Sequence, residues 1–392
     1  MLTPDTLAEV QSAVVGARAD GWLLYDFRGI NPIAKSMLRL EGMCSRRVFG
    51  WVPAQGAPVA IAHAIEPGTW ARWPASWERR VYASWPAMES ELARLVAGKR
   101  VLMEYSPGDA VPVVDRVPAG VVDMVRAAGA TILSSADLVS RFFAVWTTAQ
   151  MASHRRAAEQ VARIAREAHG RAGAAAHSGE PLQEHELMAW IRRQFAAAAL
   201  AADHGPNVSA GENAANPHHE PSPASPRALR EGDVVLIDLW AREADGIYAD
   251  QTWMASIGAP SEKVGRVWTA VRDAREAAIA LVRARLEAGA PVRGADADDA
   301  ARRVIEAAGF GPQFTHRTGH SIDAAALHGT GPNLDNLETR EERLLIDGVG
   351  FSVEPGVYFP GEFGVRSEVN AYLADGRLVV TPAQPQYDLL VV

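Results

Sequence analysis

Four carboxylate residues in apolar strand segments of the C-terminal half have the types and spacing of a metal site. Asp238 and Asp250 flank a turn-type segment, and a hairpin folded about Ala244 places them opposite each other. A Pro-Gly turn relates Glu354 to Glu368 in the same way. Carboxylates that face each other at about 5 Å repel, and burying one without compensation costs several kcal/mol. The pattern therefore predicts either protonated acids or bound cations, and we interpret it as a metal site.

The elements that must position these acids follow an order that occurs twice. Residues 150–258 and 261–375 each have the pattern of two helices followed by a carboxylate hairpin, without visible sequence identity between them. If the two parts pack about a pseudo-twofold axis, the four carboxylates meet at their interface. A chain of 392 residues favours two domains. We predict an α+β protein with an α/β domain at 1–146 and the carboxylate-bearing domain at 147–392.

The composition argues against several classes of partner. The net charge is −8 and the arginines are dispersed, which does not favour a nucleic-acid surface. The single cysteine, Cys44, excludes an intrachain disulfide and is typical of a reducing compartment. The first residues lack a basic segment followed by an apolar one, and no apolar run approaches the roughly 18 residues of a membrane span. We therefore expect a cytoplasmic protein that binds neither nucleic acid nor a membrane.

Histidines add to the predicted metal site. Six of the eleven histidines fall between residues 204 and 328, in loops that precede the two hairpins. A site of four carboxylates and one imidazole is rich in oxygen, which suits Mn²⁺, Co²⁺ or Zn²⁺ better than soft metals. Two divalent ions would nearly neutralise four carboxylates and a shared hydroxide, so the charge balance indicates a pair of ions. Such a pair lowers the pKa of a shared water.

Two segments match a known family closely. They are residues 352–358, Ser-Val-Glu-Pro-Gly-Val-Tyr, and residues 365–368, Val-Arg-Ser-Glu. With the chain order Asp, Asp, His, Glu, Glu of the candidate ligands, the sequence resembles the pita-bread metallopeptidases: methionine aminopeptidase, aminopeptidase P and prolidase. The resemblance covers residues 150–392 and, more weakly, residues 1–145. It implies a creatinase-like N-terminal α/β domain followed by a pseudo-twofold pita-bread catalytic domain.

The resemblance also implies a role for each metal ligand. Asp250 and Glu368 would bridge two divalent ions, with Asp238 on one ion and His320 with Glu354 on the other. Mn²⁺ is the favoured ion, and Co²⁺ or Zn²⁺ are the alternatives.

Three more histidines and one arginine have implied substrate roles. His218 matches a histidine that contacts substrate at the mouth of the cleft, and His328 matches one that stabilises the tetrahedral intermediate. Both are thereby catalytic candidates beside Glu354. His316, four residues before the histidine ligand, resembles the proline-directed members of the family. Arg366 either receives the C-terminal carboxylate of a short peptide or balances the charge of the acids, and the sequence leaves both interpretations open.

The chain also departs from the family pattern. Leu239 and Trp240 follow the first aspartate ligand, where the family usually has Asp-x-Gly. The interval between the two aspartates is one residue longer than usual. The arginine that usually follows the second aspartate at three residues' distance is replaced by Trp253. These differences concern the surroundings of the ligands, and all five ligands are present.

We therefore expect a dinuclear peptidase that hydrolyses Xaa-Pro bonds through a metal-bridging hydroxide. The favoured activity is that of an Xaa-Pro dipeptidase (prolidase) acting on Xaa-Pro dipeptides or short proline-containing peptides, and a homodimer is expected. Glu354 would carry the proton to the leaving nitrogen, and His328 would stabilise the oxyanion. An aminopeptidase P that takes longer peptides is the main alternative. A non-catalytic binding module, or a metal-free creatinase-type hydrolase, would not need all five ligands.

Overall fold

The computed structural model describes residues 1–42 and 44–392. The chain divides into two compact units, Met1–Phe143 and Ala144–Val392. The domain boundary expected after residue 146 remains a proposal. No helix in the described part of the chain has both the length and the apolar character needed to cross a membrane.

The N-terminal unit is an α/β sandwich around one mixed sheet. The sheet has the strand order β4-β3-β2-β1-β5-β6, and apolar clusters lie on both of its faces. Its strands are β1 (Gly21–Asp26), β2 (Val48–Pro53), β3 (Val59–His63), β4 (Glu78–Tyr82), β5 (Arg100–Met103) and β6 (Thr131–Ser134). Its helices are α1 (Leu7–Gly16), α2 (Pro32–Met37), α3 (Trp85–Val96), α4 (Ala119–Ala127) and α5 (Ala136–Phe142).

A fully buried carboxylate, Glu104, follows β5 in this unit. It accepts hydrogen bonds from Trp22 Nε1 at 2.6 Å, Asn31 Nδ2 at 2.8 Å and Ser135 Oγ at 3.1 Å. Burial raises the pKa of Glu104 from 4.5 to about 7, and the three hydrogen bonds offset only part of that rise. The carboxyl group therefore changes its protonation state near neutral pH in the folded protein.

Because the folded pKa of Glu104 exceeds the unfolded one, the stability of this unit is expected to fall as pH rises. Below the unfolded pKa the acid is protonated in both states, so its ionisation costs no stability. Above the folded pKa the full free-energy cost of burying the ionised carboxylate is present. The Glu104→Gln variant should lose this dependence, so its stability relative to wild type should rise by about 2–3 kcal/mol between about pH 5 and about pH 8. Urea unfolding at both pH values measures the change.

The matched control is Glu89→Gln, at an exposed position of α3 in the same unit. It should keep the pH dependence of the wild type. In Glu104→Gln the new amide NH₂ group would face the Asn31 Nδ2 group, and two donors cannot form a hydrogen bond with each other. This loss lowers the stability of the variant equally at all pH values. A pH dependence that is unchanged in Glu104→Gln would contradict the assignment.

The C-terminal unit contains the repeated order of helices and hairpins. Its first half has α6 (Thr148–His177), α7 (Glu184–Ala197), β7 (Asn207–Ala210), β8 (Val234–Ala241) and β9 (Ala249–Ser256). Its second half has α8 (Glu262–Glu287), α9 (Gly294–Ala307), β10 (Ser321–Ile322), β11 (Gly350–Val353), β12 (Gly356–Phe359), β13 (Phe363–Arg366), β14 (Val369–Ala374), β15 (Arg377–Thr381) and β16 (Leu390–Val391). The sheets have the orders β16-β9-β8-β7 and β10-β11-β14-β15, with β12-β13 as a separate pair.

Local sequence signals explain where the long helices begin. The Thr147 hydroxyl caps α6, and the Gln150 side chain completes a capping box. Ser261 caps α8 by accepting from the amide of Val264, as its position before the helical pattern predicts. Apolar side chains of α6 and α7 pack on β7, β8 and β9, whereas α8 and α9 pack on the strands of the second half. The helices thus cover one face of each sheet and leave the other face for the acids.

The first hairpin has a different register from the predicted one. Asp238 lies opposite Thr252, and Asp250 lies opposite Trp240. The prediction that the two aspartates are directly opposite is therefore wrong. They remain on one face of the sheet, because the displacement is an even number of residues. They face each other diagonally, at about 7–8 Å between backbones.

The reason lies at the turn of this hairpin. Arg242 leaves the β8–β9 ladder and pairs with Ala201, with N–H to oxygen bonds of 2.8 and 2.9 Å in the two directions. The connection is therefore centred on Asp245, whose φ of 57° is left-handed, and not on Ala244. Sequence spacing alone does not show that a distant segment takes part in the turn.

The second hairpin has the predicted register. The β11–β14 ladder and the β12–β13 ladder share one alignment, and Glu354 and Glu368 occupy the short gap between them. The pairs that flank the gap are Val353 with Val369 and Gly356 with Arg366. Glu354 therefore falls opposite Glu368 at a place where neither is in a strand ladder.

Candidate metal centre

The acids of both hairpins converge on His320 in the C-terminal unit. Asp250, His320 and Glu368 are buried and each offers a ligand atom, and these atoms lie within 4.8 Å of one another. The Nε2 atom of His320 is 3.3 Å from Oδ2 of Asp250 and 3.4 Å from Oε1 of Glu354. The expectation that the two carboxylate pairs meet in one place is thus confirmed by the structure.

Arg366 connects the fourth acid to this group. Its Nη2 atom is 2.5 Å from Oδ2 of Asp238, and its Nε atom donates to the Thr252 hydroxyl at 2.8 Å. Thr252 in turn donates to Oε2 of Glu368 at 2.8 Å. Nε of Arg366 is also 3.9 Å from Glu354 and 4.0 Å from Glu368. The guanidinium therefore lies among the acids, which supports the charge-balancing interpretation of Arg366.

Backbone and hydroxyl groups fix the orientation of His320. Its amide donates to the Ser352 hydroxyl at 2.9 Å, and that hydroxyl donates to Oε1 of Glu354 at 2.9 Å. Nδ1 lies 3.1 Å from the carbonyl of Ser321, so it is the nitrogen that donates and Nε2 points at the acids. A Cβ atom on Gly319 would lie 2.0 Å from the Ser352 carbonyl oxygen, so this close approach requires glycine.

The charges in this group change the pKa values of its members. Burial, followed by the charges of Asp250 and Glu354, raises the pKa of Glu368 well above its usual range. Burial also raises the pKa of Asp238, to about 6, although Arg366 opposes it. Burial acts on Glu354 in the same direction, but His320 and Arg366 outweigh it and lower the pKa of Glu354 to about 2. The cluster thus contains more negative charge than its own cations neutralise.

The residues fit a divalent metal. Oε1 of Glu368 is buried and has no hydrogen-bond partner among residues 1–42 and 44–392, although the other oxygen of the same carboxylate accepts from Thr252. A buried carboxylate oxygen without a donor is destabilising unless a cation takes the donor's place. Four carboxylates and the free Nε2 of His320 form an oxygen-rich donor set with one imidazole, which suits Mn²⁺, Co²⁺ or Zn²⁺.

The acids form part of the wall of a cavity of about 820 Å³. The cavity also contains the remaining candidates from the sequence, His218, His316, His328 and Arg366, so the structure brings all of them to one site. Other lining residues include Met188, Arg192, His204, Trp240, Arg317, Leu327 and Glu338. The cavity thus offers space for a small ligand directly beside the acids.

The histidines occupy different depths of this cavity. His316 donates from Nδ1 to the Arg317 carbonyl at 2.7 Å, and its Nε2 accepts from the Tyr358 hydroxyl at 2.9 Å. The ring of His328 is exposed on one side and lies 4.1 Å from the ring of His320 between centroids. The charge of His320 and burial lower the pKa of His328 to about 3. His218 is exposed at the rim.

Sequence reasoning missed several residues that support the site. Ser352 and Tyr358 bond to Glu354 and His316, and Asn370 Oδ1 accepts from the amide of Asp250 at 2.7 Å. The position of Ser352 and Asn370 two residues from a candidate glutamate was an available signal, since such residues share a strand face. Tyr248, two residues before Asp250, donates to Asp203 at 2.5 Å.

Comparisons with known proteins agree with this site. A model of metallopeptidase family M24 matches residues 156–374, more than half of the chain. The protein named Probable dipeptidase PepE of Mycobacterium tuberculosis is 35% identical over 161 residues, which are 41% of this chain and 39% of that protein. The Xaa-Pro dipeptidase of Lactobacillus delbrueckii subsp. lactis is 34% identical over 161 residues, 41% of this chain and 40% of that protein. The aligned part thus spans about two fifths of these relatives.

The similarity to solved structures extends over the whole chain. The crystal structure of dipeptidase PepE from Mycobacterium ulcerans superposes with a TM-score of 0.71 and 26% sequence identity, covering 99% of this chain and 97% of that one. The expected fold, an N-terminal α/β domain followed by a pita-bread catalytic domain, is thereby confirmed.

Proposed function

This chain belongs to the metallopeptidase family M24, and we propose that it is an Xaa-Pro dipeptidase that uses two divalent metal ions. The observation that carries the proposal is the buried Oε1 of Glu368, which has no hydrogen-bond partner in the described part of the chain. It lies in a group with Asp250 and His320, which Glu354 and Asp238 adjoin. Such a group is compatible with folding when cations neutralise it. The names of the relatives support the reaction class, since they are a dipeptidase and an Xaa-Pro dipeptidase.

The same five residues are proposed to hold the ions. Asp250 and Glu368 would contribute to both ions, Asp238 to one of them, and His320 with Glu354 to the other, as the resemblance to the family implies. The ligand atoms of Asp250, His320 and Glu368 lie within 4.8 Å of one another, which supports a metal site at these residues. When bound, two divalent ions supply a Lewis acid for the scissile carbonyl and a water of lowered pKa. Mn²⁺ is proposed, with Co²⁺ or Zn²⁺ as alternatives.

The chain's own residues then move the proton and hold the substrate. Glu354 accepts the proton of the attacking water and delivers it to the proline nitrogen, which cannot leave without it. Its hydrogen bond from Ser352 keeps the carboxylate oriented toward the cavity. His328, beside His320 in the cavity, donates to the developing oxyanion. His316 and His218 line the same space and are proposed to contact the peptide, as is Arg366.

Metal-reconstituted protein tests the proposal. We expect about two ions per chain by elemental analysis, hydrolysis of Ala-Pro, and loss of that hydrolysis in chelator, since the ions supply the nucleophile. Ala-Ala serves as the substrate control and should be cleaved more slowly than Ala-Pro. Less than one bound ion per chain, or full activity in the presence of chelator, would contradict the proposal.

A longer peptide separates the dipeptidase from its alternatives. Cleavage of Ala-Pro-Ala at a rate equal to or above that of Ala-Pro would favour an aminopeptidase P. Binding of either peptide without any cleavage by the metal-loaded protein would favour a binding module. A cytoplasmic homodimer is also proposed, and analytical ultracentrifugation together with cell fractionation checks it.

A further inference from the structure

We propose that Trp240, with His204 packed against it, forms the wall of a subsite for the side chain of the residue before proline. This wall makes the enzyme prefer an apolar side chain at that position. The inference deepens the proposed function and rests on it, because it names the substrate preference of the same site.

The strand β8 places Trp240 beside the acids. It lies two residues after Asp238, on the same strand face, and directly opposite Asp250 in the β8–β9 ladder. Its side chain lines the cavity together with those two acids. Any ligand that reaches the acids from the cavity therefore passes within reach of the indole.

Packing fixes the position of the indole. The side chain is only 7% exposed, and a Cβ atom on Gly205 would lie 2.3 Å from its Cζ2 atom. The backbone at Gly205, which has a left-handed φ of 70°, thus lies directly against the ring. His204 packs edge-on at 5.2 Å between ring centroids. The buried Nε1 has no hydrogen-bond partner among the residues that the structure describes, so packing holds the ring in place.

The lining of the cavity includes apolar groups as well as charged ones. Met188 and Leu327 are apolar residues that line it together with Trp240. His316, Arg317 and Arg366 provide the cationic or polar groups of the lining. In the proposed function the scissile carbonyl lies at the acids, so the residue before proline lies beside Asp238 and Asp250. Its side chain then lies against Trp240, which is next to both aspartates in the β8–β9 ladder.

An apolar wall of this size has a measurable effect on substrate choice. Burying an aliphatic side chain against it raises kcat/KM for Leu-Pro about 10- to 100-fold above that for Gly-Pro. Arg192 lines the same cavity, and its Nε donates to the Gly205 carbonyl at 2.7 Å. An acidic side chain is therefore the competing preference, and Glu-Pro belongs in the substrate set.

The test compares wild type with Trp240→Ala and Trp240→Phe on Gly-Pro, Leu-Pro, Phe-Pro and Glu-Pro. Trp240→Ala should bring the Leu-Pro to Gly-Pro ratio to within about 3-fold of unity, because the wall is lost. Trp240→Phe, which folds more readily because it keeps an aromatic ring, should shift the preference from Leu-Pro toward the larger Phe-Pro. Trp268→Phe is the matched control, since Trp268 is 4% exposed in α8 and bonds to the Tyr387 carbonyl outside the cavity.

Calorimetric titration of chelator-treated protein with the same dipeptides gives a readout that does not require hydrolysis. If wild type cleaves none of them but binds Leu-Pro more tightly than Gly-Pro, and Trp240→Ala abolishes the difference, the proposed function fails and the subsite stands. Ratios that stay unchanged in both Trp240 variants would overturn the subsite, as would a wild-type preference for Glu-Pro over Leu-Pro.

Discussion

Replacing Glu354 with glutamine is expected to lower kcat of the metal-loaded protein by about 10²- to 10⁴-fold. The amide cannot accept the proton of the attacking water, so none is delivered to the proline nitrogen. The amide also replaces a carboxylate oxygen that lies 3.4 Å from Nε2 of His320. Steady-state kinetics on Ala-Pro measure the loss, and elemental analysis of the same sample shows how much of it follows from weaker metal binding.

Glu342→Gln provides the matched control for this substitution. Glu342 is exposed and forms an ion pair with Arg340 at the surface, so its replacement should leave kcat and metal content unchanged. A Glu354→Gln protein that retains more than about a tenth of wild-type kcat would contradict the proton-transfer role.

Replacing Glu368 with glutamine is expected to reverse the order of stability between metal-free and metal-loaded proteins. In the metal-free state the variant should unfold at a higher temperature than wild type. Burial and the neighbouring acids raise the pKa of Glu368 well above its usual range, so folding has to overcome the cost of its ionisation or of its protonation, and glutamine removes that cost. In wild type, divalent ions at 100 times their dissociation constant should add about 2.7 kcal/mol, or roughly 5–10 °C in Tm. The variant should gain little from the ions, since it lacks a proposed bridging ligand.

Thermal unfolding with Mn²⁺ and with chelator measures both effects. Glu362→Gln, at an exposed position paired with Lys263, should behave as wild type in both conditions. If metal-free Glu368→Gln is less stable than metal-free wild type, the carboxylate is held by interactions other than cation binding, and its proposed role as a ligand fails.

The four acids of the candidate site could be predicted because residue type and spacing carry most of the information. Four acids in apolar strands are unfavourable without compensation, and this physical fact is visible in the sequence. The register of the second hairpin was also predictable, since its turn is local and both ladders share one alignment. Both arguments use only neighbouring residues.

Long-range contacts explain what the sequence could not show. The first hairpin shifts because Arg242 pairs with Ala201, which is far away in the sequence. Asn370 reaches the amide of Asp250 from the other half of the unit, and Thr252 reaches Glu368 in the same way. Such contacts depend on how the two halves pack, which periodicity within each half does not determine.

The contacts of Arg366 bear on a choice that the sequence left open. Its guanidinium contacts Asp238 and Thr252, and the side chain is only 6% exposed. These contacts favour charge balance among the acids. A direct contact with the substrate carboxylate stays a proposal.

The β11–β14 and β12–β13 ladders have the same alignment on either side of Glu354 and Glu368. The positions of the two glutamates therefore do not depend on how long the hairpin is. On the side away from the turn, the β11–β14 ladder fixes the register of the two glutamates. Residues added in equal number to β12 and β13 would therefore lengthen the tip of the hairpin without moving either acid. A single residue inserted into one arm would instead have to be absorbed as a bulge before it reached the acids. The tip around Gly361 is thus a position where loops of different length can be grafted while the two glutamates keep their geometry.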